Sequence, residues 1–132
     1  MPVSSYGATV DDPMAIGSTA AVAAATTTYL GPAGNAAAAN QASFVMPYPG
    51  TIRLGYFNVS VAPGGGLTTT FTVYKNGSAT AITAGISGAT ATAAQDLVHT
   101  VPVLPGDLIS VQVVTPTGAA AAFCFGCLTF TS

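Results

Sequence analysis

Leu67, Thr69, Phe71 and Val73 alternate with Thr68, Thr70, Thr72 and Tyr74. A period of two gives a strand with an apolar face backed by a hydroxyl-rich one. The run leads directly into Lys75-Asn76-Gly77-Ser78. Asn-Gly is the strongest short hairpin signal, because both residues tolerate the positive φ of a two-residue turn. A partner strand is therefore expected over about 79–87, and the centre of the chain is a β-hairpin.

The rest of the chain reads the same way. Pro49-Gly50 punctuates the sequence before a strand at 51–62, in which Phe57, Val59 and Val61 share one phase and Ile52, Leu54 and Tyr56 the other. That change of phase predicts a bulge near Gly55 or a strand buried on both sides. Asp96 to Val103 forms a strand ending at Leu104-Pro105-Gly106-Asp107, where Pro presets a turn, Gly accepts left-handed geometry and Asp can bond the local backbone. Ile109, Val111 and Val113 alternate with Ser110 and Gln112, and Thr115-Pro116-Thr117-Gly118 makes the next turn. A final strand over about 121–131 is expected to bury Phe123, Phe125, Leu128 and Phe130. With strands at 22–30 and 42–48, the count is about eight. The Ala-rich stretches at 20–25 and 36–39 can each supply at most a short turn of helix, because Thr, Gly and Pro crowd them. The expectation is an all-β chain: an antiparallel β-sandwich or jelly roll over 21–132, preceded by an irregular N-terminal arm over 1–20.

Charge is the unusual quantity. Only 5% of the 132 residues are Asp, Glu, Lys or Arg, against about 25% in an ordinary soluble domain. A folded chain of this mass exposes roughly 6,300 Å², so there is about one formal charge per ~1,000 Å² of surface. Either hydroxyls and amides supply the wetted surface or protein covers much of it, and the expectation is both, with self-association as the main cause. Arg53 and Lys75 are the only fixed cations. Neutralising phosphates takes a cluster of cations, which argues against nucleic acid and against anionic membranes. Residues 13–52 carry no charge, but Gly17, Gly31, Pro32 and Gly34 interrupt them, and no run of about 20 strongly apolar residues appears. The N-terminus lacks a basic region followed by an apolar block, so synthesis in a cytoplasm without export is expected.

The side chains that carry catalysis are sparse. His99 is the only histidine and has neither a matching nucleophile motif nor an evident orienting partner. Asp96 and Asp107 border the same strand pair, yet each has an ordinary place at a strand end or turn. Cys124 and Cys127 are three apart in a strand, which places them on opposite faces and poorly for a disulfide or a shared metal. Pro63-Gly64-Gly65-Gly66 is a loop with no lysine or helix start to suggest phosphate binding. No catalytic, cofactor-binding or metal-binding residue is expected, and the chain is read as non-enzymatic.

From about residue 49 onward the chain resembles a pattern found in tailed-bacteriophage and prophage virion proteins. The carrying segments are Pro49-Gly50-Thr51-Ile52, Thr70-Phe71-Thr72-Val73-Tyr74-Lys75-Asn76-Gly77 and Val103-Leu104-Pro105-Gly106-Asp107-Leu108-Ile109-Ser110-Val111. C1q/TNF-like trimeric heads and some carbohydrate-binding jelly rolls share this punctuation. The resemblance implies a small homotrimeric jelly roll on a virus particle. Its first form is a capsid decoration, or cement, protein bound to the major capsid protein on the outer surface of the head. Its second is the receptor- or glycan-binding head of a tail fibre. On the first reading the arm, with Tyr6, Asp11 and Asp12, docks on the capsid partner.

Overall fold

The alternation over 67–74 sets the centre of the computed structural model, which describes residues 11–132. Phe71 and Val73 are wholly buried and Thr69 nearly so, each facing inward from one long strand. That strand turns through Asn76 (φ 52°) and Gly77 (φ 81°), so the Asn-Gly signal is realised as a tight hairpin.

The described residues form ten strands: β1 Asp11–Gly17, β2 Thr27–Gly31, β3 Gly34–Ala36, β4 Phe44–Val45, β5 Gly50–Val59, β6 Gly64–Lys75, β7 Ser78–Gly88, β8 Ala93–Val103, β9 Leu108–Val114 and β10 Cys124–Thr131. A 3-10 turn at Ala39–Gln41 follows the second Ala-rich stretch. Eight strands run in the order β7-β6-β9-β2-β1-β10-β5-β8, with the short β3 and β4 attached to β2 and β9. Every pairing is antiparallel.

β1 and β2 meet through one pair only, Gly17 with Gly31. There the ribbon divides into two layers, β1-β10-β5-β8 and β7-β6-β9-β2. Phe57 of the first layer stacks on Phe71 of the second, with ring centroids 4.9 Å apart and planes at 16°. Around them Ile52, Val101 and Leu128 meet Leu30, Ile82, Ile109 and Val111, all essentially sealed from water. The ends of the order, β7 and β8, lie side by side, so the sandwich is nearly closed and barrel-like. The expected all-β antiparallel sandwich is the observed fold.

Two sequence signals dock on each other. Asn76 at the hairpin tip donates from Nδ2 to Asp107 Oδ1 (2.9 Å) and accepts at Oδ1 from Leu108 N (2.9 Å). Asp107 also accepts from Leu104 N (2.8 Å) within its own turn, where Gly106 takes φ 91°. Lys75 Nζ donates to Pro102 O (2.9 Å) and lies 3.7 Å from Asp107 Oδ2. The Lys-Asn-Gly and Pro-Gly-Asp motifs thus form one corner of the molecule.

Three expectations change. The arm expected over 1–20 is strand from Asp11: β1 pairs with β10 along its whole length, from Asp11–Thr131 to Gly17–Phe125. Met14 and Ile16 face the core on its inner side, and because its other edge meets β2 only at Gly17, Pro13 is tolerated in the strand. Phe123 and Phe125 are not buried. Gly126 takes the inward place between Cys124 and Leu128, where a Cβ would lie 2.4 Å from Tyr56 O and 3.0 Å from the Phe57 ring. Period two then turns Phe125 outward. Val61 also faces solvent, because β5 ends at Val59. The bulge expected near Gly55 is present: Leu54 takes φ 56°, and the β5–β8 register shifts there.

Candidate functional site

Strand register builds an apolar outer face on β1-β10-β5. Cross-strand rows place Ala15 beside Cys127 and Cys127 beside Tyr56, then Gly17 beside Phe125 and Phe125 beside Asn58. Tyr56 is 43% exposed and Phe125 45%, with Phe123 and Val61 similarly open where the sheet ends. Gly17 has no side chain to cover Phe125; a Cβ in its place would lie 3.6 Å from the Phe125 Cβ.

At its far end the same face carries one exposed ion pair, Arg53 with Asp11. Arg53 Nε donates to Thr131 Oγ1 (3.0 Å), Thr131 Oγ1 donates to Asp11 Oδ1 (2.5 Å), and Arg53 Nη2 lies 3.4 Å from both Asp11 oxygens. The Thr131 hydroxyl, with Arg53 behind it, holds the Asp11 carboxyl below its ordinary value. Asp11 is thus engaged within its own sheet.

A second apolar feature opens at the end of the sandwich where β1 begins and β10 ends. Asp12, Met14, Phe44, Met46, Tyr48 and Phe130 line a cleft of about 270 Å³. Tyr48 leans over Phe130 with centroids 6.1 Å apart, and Val45 and Tyr48 stand mostly in solvent. Asp12 is the carboxylate on this rim. Of the residues expected to meet a partner, Asp11 and Asp12 are adjacent on β1 but point to opposite faces of it, and Tyr6 lies outside the described residues.

The titratable groups read as chemistry serve the fold. Asp96 is 7% exposed at the seam between β7 and β8. Its Oδ1 accepts from Val98 N (3.0 Å) and His99 N (3.1 Å), and its Oδ2 from Thr83 N (3.1 Å) and His99 Nδ1 (2.8 Å). Burial pushes this carboxyl upward, but the His99, Val98 and Thr83 donors together overcome it and hold the group well below the usual carboxylate range. His99 is half exposed on a bulge of β8. An Asp–His pair orients an imidazole, but no hydroxyl or thiol of a described residue is hydrogen-bonded to it. Asp107 caps its turn as expected and is lowered first by Asn76 and then by the Leu104 N–H. Cys124 faces the core, where burial pushes its thiol up to about 11, and Cys127 faces out. No group of three or more His, Cys, Asp or Glu is gathered among the described residues. No helix among them is long and apolar enough to cross a membrane.

No family model matches the chain, and no curated protein matches it. Among solved structures it is similar to a Paenibacillus sp. cycloisomaltooligosaccharide glucanotransferase complexed with cycloisomaltoheptaose, at 18% identity and a TM-score of 0.42. The likeness covers 91% of this chain and 18% of that one, so the chain spans less than a fifth of that protein's length. At that level the likeness transfers no activity.

Sequence reasoning missed Phe123 and Phe125 because a strand with apolar residues on both faces has no readable phase. Gly126 was the available signal, since a lone glycine inside a strand marks a close approach.

Proposed function

We propose that this chain is a structural virion protein: a non-enzymatic capsid decoration module that forms homotrimers and binds the major capsid protein on the outer surface of a phage head. The observation that carries the reading is the aromatic face of β1-β10-β5, where the charges present, Arg53 and Asp11, are paired with each other at its far end. The described surface is 6212 Å², and the few fixed charges on it are largely tied to one another.

Burying the exposed half of Tyr56 or Phe125 against a neighbour is worth about 2 kcal/mol per ring. Two such rings from each of three subunits offset a substantial part of the entropy cost of association. The Asp12 cleft, with Val45 and Tyr48 on its rim, supplies a second contact, fitted to the capsid partner, to which Tyr6, outside the described residues, is also assigned. Attachment to a lattice then stabilises both partners by mass action. Apolar contacts are not screened by salt, so decoration should persist in molar NaCl.

The test is light scattering and particle binding with the parent chain and with Tyr56→Ser/Phe125→Ser. The parent should run as a discrete trimer and stay on particles through a molar salt wash. The double variant should be a folded monomer by circular dichroism that no longer decorates. A parent that is monomeric at millimolar concentration, or a double variant that still forms trimers, refutes the reading.

A further inference from the structure

The two outer faces of the sandwich differ in chemistry. Across β7-β6-β9-β2 the register aligns Thr83, Thr72, Gln112 and Tyr29 in one row, with Thr70, Val114 and Thr27 in the next. This face is hydroxyl and amide where β1-β10-β5 is aromatic. It ends in a cleft of about 540 Å³, between the 3-10 turn and the Asn-Gly hairpin, lined among others by Tyr29, Asn40, Ser43, Asn76, Gly77 and Leu108. Clefts of roughly 300–1,000 Å³ are the size of small-molecule sites.

The walls are held in place before any ligand arrives. The Tyr29 ring meets Tyr74 edge-on, with centroids 5.3 Å apart and planes at 76°. Its hydroxyl accepts from Gln112 Nε2 (3.0 Å) and keeps its own proton to donate. Asn76 is fixed by Asp107 and Leu108 and so presents the Gly77 backbone as a rigid edge. Across from it Asn40 is exposed, and its amide makes no hydrogen bond to a described residue. The lining contains no charged side chain.

We propose that this cleft binds a neutral saccharide, with the C–H face of one sugar ring against Tyr29 and its hydroxyls bonded to Asn40, the Tyr29 hydroxyl and the Gly77 backbone. A site without a cation holds phosphate or carboxylate poorly, since an Asn amide and one turn's backbone do not neutralise a full negative charge. Nor does it suit an aliphatic ligand, which would leave the amides unpaired. A polyhydroxylated ring uses both the aromatic wall and the amides. The site is on the layer facing away from Tyr56 and Phe125, so it does not depend on the assembly reading, and either can fail alone.

The experiment is an NMR titration of the full labelled chain with methyl hexosides and with neutral hexasaccharides of glucose, mannose and N-acetylglucosamine, against a hexagalacturonate comparator. At least one neutral sugar should give saturable shifts at Tyr29, Asn40 and Gly77 with a midpoint in the low millimolar range. Asn40→Ala should weaken binding about 5–10-fold with the fold intact, whereas Val98→Ser, on the remote β8 bulge, should leave it unchanged. A midpoint that tightens from monosaccharide to hexasaccharide identifies a polysaccharide chain as the source. Equal midpoints identify a free sugar. No saturable shift at 20 mM of any neutral sugar, binding of the galacturonate alone, or shifts untouched by both Asn40→Ala and Tyr29→Phe would overturn the proposal.

Discussion

Replacing Asp96 by Asn tests whether one carboxylate closes the sandwich. In the parent, Oδ1 and Oδ2 each accept two hydrogen bonds, and only the bond from Thr83 N crosses the seam to β7. An amide in the same place offers one acceptor and one donor. Whichever way it is turned, at least one backbone N–H that had an acceptor faces an N–H instead, and the remaining bonds lose their charge assistance. Hydrogen bonds to a charged group contribute about 1.5–3 kcal/mol, against about 1 for neutral pairs. The bonds share one carboxylate and do not add fully, so the expected loss is about 2–3 kcal/mol, a large share of the ~5–15 kcal/mol typical of a domain. With a urea m-value of about 2 kcal/mol/M, the midpoint should fall by roughly 1–1.5 M. The pH dependence has a definite sign. The folded-state pKa of Asp96 is depressed, so its stabilisation is fully present above the unfolded carboxyl value of about 3.9 and is lost as pH falls below that value through the folded one. The gap between parent and Asp96→Asn should therefore be widest from pH 5 to 7 and should close below about pH 4. Amide exchange at Thr83 should rise in the variant before exchange in β9 does. Equal urea midpoints at pH 6, or a gap that stays constant from pH 6 to pH 2, would refute this account of the seam.

Two further outcomes follow from packing and burial. A Cβ on Gly31 would lie 1.4 Å from the Ala42 carbonyl oxygen, whereas one on Gly65 would meet nothing within 4 Å. Gly31→Ala should cost about 3 kcal/mol or more, or prevent soluble expression, while Gly65→Ala stays within about 0.5 kcal/mol of the parent by thermal denaturation. Cys124 is buried with a raised thiol and Cys127 faces outward between Ala15 and Tyr56. Ellman's reagent should therefore modify one thiol per native chain, identified as Cys127 by peptide mass, and, under the proposed assembly, faster in the Tyr56→Ser/Phe125→Ser variant than in the parent. Rapid modification of both thiols, or no difference between the two proteins, would contradict the placement of this face.

Where one side of a strand is polar, the sequence states its register. Residues 67–74 could be phased from Thr alternation alone, and Asn76-Gly77 fixed the turn because few dipeptides accept two positive φ values. The thiols at 124 and 127 were separable for the same reason, since an odd offset in a strand means opposite faces. β10 was illegible because it is apolar on both sides: one face meets the core and the other the solvent or a neighbour. Met14 and Ile16 were too short a pattern to reveal β1 beside Asp11-Asp12-Pro13, and what makes that segment a strand is long-range pairing with the far end of the chain. The cleft at Tyr29 could not be read at all. It is assembled from a hairpin tip, a 3-10 turn and an edge of β2 that only the tertiary structure brings together.

The fixed charges explain why so neutral an exterior is compatible with a defined fold. Arg53 and Asp11 tie β5 to β1 across β10, Lys75 and Asp107 tie the hairpin to the turn that follows β8, and Asp96 ties β8 to β7. Asp96 sits at a seam that no strand ladder spans, whereas the other two pairs reinforce strands already joined through the backbone. Charge in this chain acts as a set of local staples, leaving most of both outer faces to neutral chemistry, aromatic on one layer beyond the Arg53–Asp11 pair and hydroxyl-rich on the other. Salt should then act on the exposed Arg53–Asp11 staple, weakening the hold on β1, while leaving contacts made through Tyr56 and Phe125 intact. Stability and association should consequently respond to ionic strength in different ways, the first falling slightly and the second holding or strengthening.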